Sequence, residues 1–263
     1  MPRATPLPVL GAKAPRADGG FLWESLINGP VRSRRLGVSL GINLVPPRSK
    51  LCSFDCPYCE CGFNTAKDPD ARWSSPDEVA HALRRALSRL SEPPDWITFA
   101  GNGEPTLHPR FPIVVERVLE VRAELAPSVR VGILSNGLAA GQPRIRDALR
   151  QLDSRMMKLD PGSPELVNGI RYDVAALLEA YRALRPLTIQ AMVTKGAAWD
   201  GSSDESLAAW LPLVTAVAPQ AVHLYSLDRP PADPRILSVP RERLEQMAVA
   251  IREALPECVV SVF

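Results

Sequence analysis

Four of the five cysteines of the chain crowd into the segment from Cys52 to Cys61. Three residues separate Cys52 from Cys56 and two separate Cys56 from Cys59, so one tight loop can bring their thiolates together. Three thiolates can hold three corners of a cuboidal iron–sulfur cluster, whereas full ligation takes four. The iron at the remaining corner stays open to an exogenous ligand, as the vacant position of a catalytic zinc does. The spacing therefore predicts a [4Fe–4S] cluster on Cys52, Cys56 and Cys59 with one iron available for chemistry.

Cys61 leaves two alternatives open for the same segment. The four cysteines could form a zinc knuckle, although structural zinc ligands usually come as two pairs separated by a longer loop. Cys61 could also close the cluster as a fourth ligand and make it an electron carrier, although its one-residue spacing from Cys59 makes simultaneous ligation awkward. Cys258 lies far from this segment, and we expect it to be a buried small apolar residue.

The overall composition is that of an ordinary globular protein. The chain has 263 residues, which suits a single α/β barrel of about 250 residues. Lys and Arg number 31 against 29 Asp and Glu, and the net charge of +2 is no nucleic-acid signature. The sequence contains no apolar run of about 18 residues and no apolar signal core in its first residues, so it predicts neither a membrane span nor secretion. Crowded cysteines indicate metal binding in a reducing compartment, and we expect a cytoplasmic location.

Short β-like runs alternate with amphipathic helices after a Pro- and Gly-rich extension at residues 1–30. The predicted strands are Gly37–Leu44, Asp95–Ala100, Val129–Ser135, Arg155–Asp160, Leu187–Val193, Ala221–Leu227 and Val259–Phe263. The predicted helices begin at a capping box of Ser75 and Glu78, span Pro112–Leu125, Arg144–Leu152 and Val174–Leu184, and begin again at a second box of Ser202 and Glu205 and at Pro240. Strict alternation implies a parallel sheet with right-handed crossovers.

The pattern inside the strands favours a barrel over an open, doubly wound sheet. One face of the fifth strand, from Leu187 to Val193, is apolar and the other mostly polar. The fourth strand places Lys158 and Asp160 on one side and apolar residues on the other. A sheet covered by helices on both faces would read as continuously apolar. We therefore predict an α/β fold, a partial (β/α)6 TIM-like barrel over residues 31–263, with its ligand site at the carboxyl ends of the strands.

The cysteine loop, with the aromatic Tyr58 before its last thiol, resembles the radical S-adenosylmethionine (SAM) superfamily. The strings Gly29-Pro-Val-Arg-Ser-Arg-Arg-Leu-Gly37 and Ser39-Leu-Gly-Ile-Asn43 that precede it resemble one branch, the wyosine-type enzymes that modify a tRNA base. Those enzymes carry a second cluster on N-terminal cysteines, whereas residues 1–51 contain no cysteine. The resemblance to the branch therefore implies its SAM chemistry and leaves the substrate open.

The resemblance implies an enzyme of the Fe–S oxidoreductase or lyase type. The amino and carboxylate groups of SAM would occupy the open iron. An electron passed from the cluster into the sulfonium would then yield a 5′-deoxyadenosyl radical, with flavodoxin or ferredoxin as the class of reductant. The substrate is unidentified, with a tRNA base or another anionic molecule as candidates. The rival from another class is a non-catalytic zinc or electron-transfer module that binds RNA or protein.

The resemblance also implies residues that contact SAM. Gly103 and Glu104 follow the second strand and resemble the superfamily's glycine–glutamate motif, in which backbone oxygens and the Glu side chain accept hydrogen bonds from the SAM ammonium. Ser135 and Asn136 end the third strand and would contact the ribose or carboxylate of SAM. Each motif has an alternative as an ordinary Gly or Asn-Gly turn. Asn102 departs from the commoner double glycine of the motif.

Further candidates follow the next strands. Lys158 is the candidate catalytic residue, because a lysine could neutralise the SAM carboxylate, bind an anionic substrate or form a Schiff base. Its alternative is a structural ion pair with Asp160, which is itself a candidate cofactor contact together with Tyr58 and Gln190. Other residues that could line the cavity are Thr194, His223, Tyr225 and Asp228. The basic residues Arg32, Arg34, Arg35, Arg48 and Lys50 could attract an anionic substrate, or be solvated or paired within the chain.

Overall fold

The computed structural model describes residue 11 and residues 13–15, 20–64 and 71–263. Much of the extension expected at residues 1–30 therefore lies outside the described residues. The strands are β1 Lys13–Pro15, β2 Phe21–Trp23, β3 Ile27–Ser33, β4 Gly37–Ile42, β5 Trp96–Phe99, β6 Arg130–Ser135, β7 Ser154–Lys158, β8 Thr188–Met192, β9 Thr194–Gly196, β10 Trp199–Asp200, β11 Ala221–Tyr225, β12 Leu237–Ser238 and β13 Val259–Val262. The helices are α1 Pro76–Leu87, α2 Phe111–Leu125, α3 Pro143–Arg150, α4 Pro164–Val167, α5 Val174–Leu184, α6 Asp204–Val217 and α7 Arg241–Ala254.

An eight-stranded sheet in the order β13-β11-β8-β7-β6-β5-β4-β3 forms the body of the fold. Its neighbouring strands are parallel, apart from the antiparallel hairpin of β3 and β4 at one edge. Every strand predicted from the sequence is present, with ends that differ by at most two residues. The curled half-barrel confirms the predicted α/β class and partial TIM-like barrel.

The two faces of the sheet differ as the sequence pattern predicts. Side chains on the outer face, such as Leu40, Ile97 and Ile189, are fully buried in the core under the helices. The inner face carries polar groups, among them the hydroxyls of Ser39 and Thr98, whose oxygens lie 2.9 Å apart. Burying the outer face removes apolar area from water and stabilises the fold by roughly 25 cal/mol per Å². The polar inner face is thereby left for a ligand site.

The helix starts follow local capping chemistry. Ser75 caps α1, its hydroxyl accepts a hydrogen bond from the Glu78 amide, and the Glu78 side chain accepts one from the Ser75 amide, which confirms the first capping box. In the described part of the chain, no helix has both the length and the apolar character needed to cross a membrane.

Two sequence expectations need correction. The second capping box is wrong, because Ser203 caps α6 while the hydroxyl of Ser202 donates to Asp200 at 2.6 Å. The expected boundary between extension and barrel at residue 30 falls inside β3, which runs from Ile27 to Ser33 in the main sheet. The Pro and Gly in this strand hid its periodicity. The division into an extension and one barrel domain otherwise stays a prediction.

Tyr181 of α5 ties the ends of β6 and β7 together. It is fully buried, and its hydroxyl lies 2.7 Å from the carbonyl oxygen of Lys158 and 3.0 Å from that of Asn136. We expect Tyr181→Phe to lower the free energy of unfolding by roughly 1–3 kcal/mol, because buried carbonyls lose their donor. Urea denaturation measures the change, with Tyr172→Phe as the control, because the Tyr172 hydroxyl makes a single hydrogen bond, to Asn168 at 3.0 Å, at a partly exposed position. Equal losses in the two variants would contradict the role of the Tyr181 hydroxyl.

Candidate functional site

Asn64 closes the loop that carries the cysteines, here called the cluster loop and defined as residues 51–64. Its side-chain amide donates to the carbonyl oxygens of Cys52 at 3.0 Å and Phe54 at 2.8 Å. Its side-chain oxygen accepts from the Cys52 amide at 3.2 Å. These bonds join the two ends of the cluster loop, so the spacing of the cysteines is fixed by the protein itself. Sequence reasoning missed Asn64, which lies beyond the cysteine motif.

Lys50 lies buried beneath the cluster loop, with a side chain that is 1% exposed. Its ammonium is 3.6 Å from the Asp55 carboxylate and donates to the carbonyl oxygen of Gly62. Burial lowers the pKa of Lys50, but the neighbouring Cys59, Cys52 and Asp55 outweigh that effect and raise the pKa above its usual value. The ammonium therefore stays charged.

Gly103 lets the loop after β5 approach the start of the cluster loop. Gly103 forms a parallel β-bridge with Leu51, and the Glu104 amide donates to the Leu51 carbonyl oxygen at 3.0 Å. A Cβ atom at Gly103 would lie 1.8 Å from that oxygen, so no other residue fits this approach. The contact fixes the backbone immediately before Cys52.

Glu104 joins the loop after β5 to the end of β6. Its carboxylate is buried and accepts from the Thr106 amide and hydroxyl, from the Ser135 hydroxyl at 2.8 Å and from the Asn136 amide at 2.7 Å. Three predicted SAM contacts, Glu104, Ser135 and Asn136, are thus brought together. The side-chain amide of Asn136 donates to the Ser53 hydroxyl at 2.7 Å and lies 3.7 Å from the Cys52 sulfur. These hydrogen-bonded residues therefore lie next to Cys52.

Asp160 forms a second centre on the opposite side of the cluster loop. Its buried carboxylate accepts from the Tyr58 hydroxyl at 2.5 Å, the Asn168 side-chain amide at 2.9 Å and the Met192 amide at 2.8 Å. The ammonium of Lys158 lies 3.0 Å away. The ion pair that the sequence left as an alternative is therefore present. Burial disfavours the charge of Lys158, but Asp160 outweighs that effect and keeps the pKa of the lysine above its usual value.

Asn168 is a functional candidate that sequence reasoning did not find. It is 1% exposed and follows the short helix α4. Its side-chain amide lies 3.8 Å from the Cys56 sulfur, while its backbone oxygen accepts from the Asp55 amide at 2.8 Å. A lone Asn-Gly pair more than a hundred residues after the motif gives no sequence signal for this contact.

The cysteine thiols differ in their surroundings. Burial raises the pKa of Cys52 to about 12 and that of Cys56 to about 12, so both thiols deprotonate readily only when a cation such as iron binds them. The neighbouring Cys61 thiol lowers the pKa of Cys59 below its usual value. The Cys61 sulfur also lies 3.7 Å from the carbonyl oxygen of Gly101. Cys258 is buried in the main core, as predicted.

Further polar side chains lie on the inner face of the sheet beside Lys158. They are here called the polar floor and comprise Gln190, Tyr225, Arg35 and His223. Gln190 lies beside Lys158 in the sheet register and its side-chain oxygen accepts from Arg35 at 2.7 Å and from the Tyr225 hydroxyl at 3.3 Å. The Arg35 guanidinium lies 4.3 Å from the centre of the Tyr225 ring. His223, next to Gln190 in the register, is largely buried, and burial followed by the charge of Arg35 lowers its pKa to about 4.

The basic segment is largely paired within the chain. Arg34 forms an ion pair with Asp228 at 3.2 Å, which bridges the β3–β4 hairpin and the loop after β11. Arg35 and Lys50 are engaged as described above. The paired alternative therefore holds for Arg34 and Lys50, which form ion pairs, whereas Arg35 is hydrogen-bonded to the neutral Gln190.

Asn102 stands where the glycine–glutamate motif more commonly has a second glycine, and its side chain has a structural role here. Its side-chain amide pairs with both backbone groups of Trp23, accepting from the amide at 2.7 Å and donating to the carbonyl at 2.8 Å. Phe21 donates through its amide to Glu60 of the cluster loop at 3.1 Å. Asn102 therefore joins β2 to the loop after β5, while Phe21 joins the same strand to the cluster loop.

The donor set fits an iron–sulfur cluster, because thiolates are its usual ligands and three cysteines of one loop can supply them. Within the described ranges, no group of three or more His, Cys, Asp or Glu side chains is placed as the ligand set of one ion. In a cuboidal cluster each thiolate binds its own iron, and Cys52, Cys56 and Cys59 each have separate surroundings. Amide donors near two sulfurs are typical of such clusters, whose potentials respond to hydrogen bonds.

A family model described as the radical SAM superfamily matches residues 47–211. A UPF0026 protein of Helicobacter pylori strain 26695 is 29% identical over 217 residues, which cover 78% of this chain and 67% of the relative. In a UPF0026 protein of strain J99, 34% identical over 135 residues, the match covers 51% of this chain and only 42% of the relative.

Solved structures show the same fold. A radical SAM methyltransferase from Sphaerobacter thermophilus aligns with a TM-score of 0.64 at 17% identity, covering 98% of this chain and 77% of that one. Archaeal TYW1 aligns with a TM-score of 0.52 at 14% identity, covering 82% of this chain and 72% of that one. At these identities the likeness extends to the fold alone, so the resemblance to the wyosine-type branch stays a prediction.

Gly103 provides a direct test of the docking of the cluster loop. We expect Gly103→Ala to displace Leu51 and Cys52, lowering iron incorporation severalfold on anaerobic reconstitution and destabilising the fold by roughly 1–3 kcal/mol. Gly141→Ala is the control, because a Cβ there would lie 4.0 Å from the nearest atom. Iron analysis and urea denaturation give the readouts. If Gly103→Ala bound iron as well as Gly141→Ala, the proposed docking would be wrong.

Proposed function

The chain belongs to the radical SAM superfamily, and from that membership we propose that it holds a [4Fe–4S] cluster on Cys52, Cys56 and Cys59 and cleaves SAM reductively. Members of the superfamily are enzymes of SAM-dependent radical chemistry, which argues against the non-catalytic metal module. When bound, the cluster supplies an electron to the sulfonium of SAM, whose C–S bond breaks to leave methionine and a 5′-deoxyadenosyl radical. The radical then takes a hydrogen atom from a substrate that is unidentified.

The observation that carries this proposal is the position of the three cysteines. They lie on one loop at the carboxyl ends of the parallel strands, between the centres formed by Glu104 and Asp160. Active sites of barrel enzymes lie at this end of the strands. A loop anchored on two sides can hold three irons while leaving the fourth side free for SAM.

Glu104 and Asp160 then act as positioning residues. Each carboxylate already accepts four hydrogen bonds or ion-pair contacts from the chain itself. Their work is to fix the strand ends and the cysteine loop. Direct contacts to SAM fall instead to the groups that they orient, including Ser135, Asn136 and Tyr58, and to the backbone around Gly103.

The substrate class that the inner face favours is anionic. Lys158 and Arg35 both contact Tyr225, the first at 3.3 Å from its hydroxyl and the second over its ring. Asp160 balances Lys158, whereas Arg35 has no carboxylate at ion-pair distance among the described residues. The raised pKa of Lys158 keeps it cationic, which suits the binding of a carboxylate or phosphate better than a Schiff base. A tRNA base with its phosphate is one candidate. A reductant of the flavodoxin or ferredoxin type and a cytoplasmic location complete the proposal.

Cysteine variants test the number of ligands. Under reducing, anaerobic conditions with SAM, wild-type protein should form 5′-deoxyadenosine and hold about four irons per chain. Cys56→Ala should abolish both, because three thiolates are needed, whereas Cys61→Ala, the matched control in the same loop, should retain them. Iron analysis and chromatography of the nucleoside give the readouts. If Cys61→Ala behaved like Cys56→Ala, Cys61 would be a fourth ligand and the open iron would not exist.

A variant of Arg35 tests whether the substrate is anionic. Deuterium transfer from candidate substrates into 5′-deoxyadenosine, with tRNA fractions first, identifies the substrate. For that substrate we expect Arg35→Gln to raise KM at least tenfold, as loss of a charged contact of about 1.5–3 kcal/mol predicts, and to leave cleavage of SAM without substrate unchanged. Arg34→Gln, on the same hairpin turn, is the control. Equal KM values in the two variants would argue against an anion site at Arg35.

A further inference from the structure

Lys50 directly precedes the cluster loop and contacts two separate parts of it. It precedes Cys52 by two residues, pairs with Asp55 at 3.6 Å between the first two cysteines, and donates to Gly62 beyond the last. Gly62 in turn donates through its amide to the carbonyl oxygen of Cys59 at 3.1 Å. The cluster loop therefore folds around one ammonium group.

Closure of the loop alone does not require a charge at this position. Asn64 already joins the loop ends with three neutral hydrogen bonds. Burying an unpaired ammonium is costly, and a well-packed apolar side chain of similar length would close the same space at less cost. A lysine that is 1% exposed therefore calls for a partner with negative charge.

Asp55 offsets only part of the charge of Lys50. The Asp55 side chain is 34% exposed, so water screens its carboxylate, whereas the ammonium is shielded from water. The ammonium therefore presents a positive potential to the loop that wraps it. Three thiolates carry three negative charges, and reduction of a cluster on them adds one more electron. A fixed cation nearby stabilises the reduced state more than the oxidised state.

We propose that the positive charge of Lys50 raises the reduction potential of the cluster. One-electron reduction of the cluster by the physiological reductant is then easier. This inference rests on the cluster proposed above. A buried charge close to the cluster would change the ratio of reduced to oxidised cluster at a fixed potential on the order of tenfold. Tenfold corresponds to about 59 mV for a one-electron couple.

Redox titration followed by electron paramagnetic resonance tests the proposal on the full-length, anaerobically reconstituted protein. Lys50→Met removes the charge and should lower the reduced-to-oxidised ratio at least about tenfold. Lys50→Arg keeps the charge and should stay close to wild type. Asp55→Asn keeps an oxygen that can accept from the Asn64 backbone amide, which donates to Asp55 at 2.8 Å. Because this variant loses a negative charge, it should raise the reduced-to-oxidised ratio.

The opposite directions of the shifts expected for Lys50→Met and Asp55→Asn distinguish an electrostatic role of Lys50 from a structural one. General damage to the loop would move Lys50→Met and Asp55→Asn in the same direction. An unchanged potential in Lys50→Met with a full iron content, or a downward shift in Asp55→Asn, would overturn the proposal. If Lys50→Met failed to load iron, the direction of the shift in Asp55→Asn would decide. Wild-type protein without a cubane signal would instead refute the cluster itself.

Discussion

Two buried carboxylates, Glu104 and Asp160, hold the candidate site together. A buried carboxylate is costly unless it is paired and hydrogen-bonded, so each must recruit donors from several segments. The Glu104 carboxylate accepts from Thr106 in its own loop and from Ser135 and Asn136 at the end of β6. The Asp160 carboxylate binds groups of β7, β8, the residue that follows α4 and the cluster loop. The cluster loop is held at the carboxyl ends of the strands by the bond from Tyr58 to Asp160 and by the backbone bond from Glu104 to Leu51.

The open side of the half-barrel is closed by ion pairs as well as by packing. Arg34 pairs with Asp228 and Arg229 pairs with Glu60, which joins the loop after β11 to the β3–β4 hairpin and to the cluster loop. Arg35 passes between them to the polar floor at Gln190. Arg35, which has no carboxylate at ion-pair distance among the described residues, would supply the positive charge that an anionic substrate meets.

Local patterns predicted the fold well, and contacts across the chain were harder to foresee. The strands and most helix starts followed from periodicity and capping chemistry, because those signals lie within a few residues. The three cysteines and Glu104 were proposed as site residues from compact motifs, and Asp160 from the polar face of its strand. Asn168 and Arg35 were not assigned their contacts, since each depends on a partner more than a hundred residues away. Burial of Lys50 was equally invisible, because a loop lysine is usually exposed and its partners Asp55 and Gly62 lie five and twelve residues further on.

The central claim is that protein ligands leave one iron free for SAM. Electron paramagnetic resonance of the reduced, reconstituted protein tests it directly, with SAM labelled with ¹⁵N in its amino group for double-resonance detection. We expect that adding SAM changes the cluster signal and produces a hyperfine coupling to the labelled nitrogen. A signal that is indifferent to SAM, with no coupling to the label, would mean that the fourth iron is already ligated or out of reach, and would contradict the account.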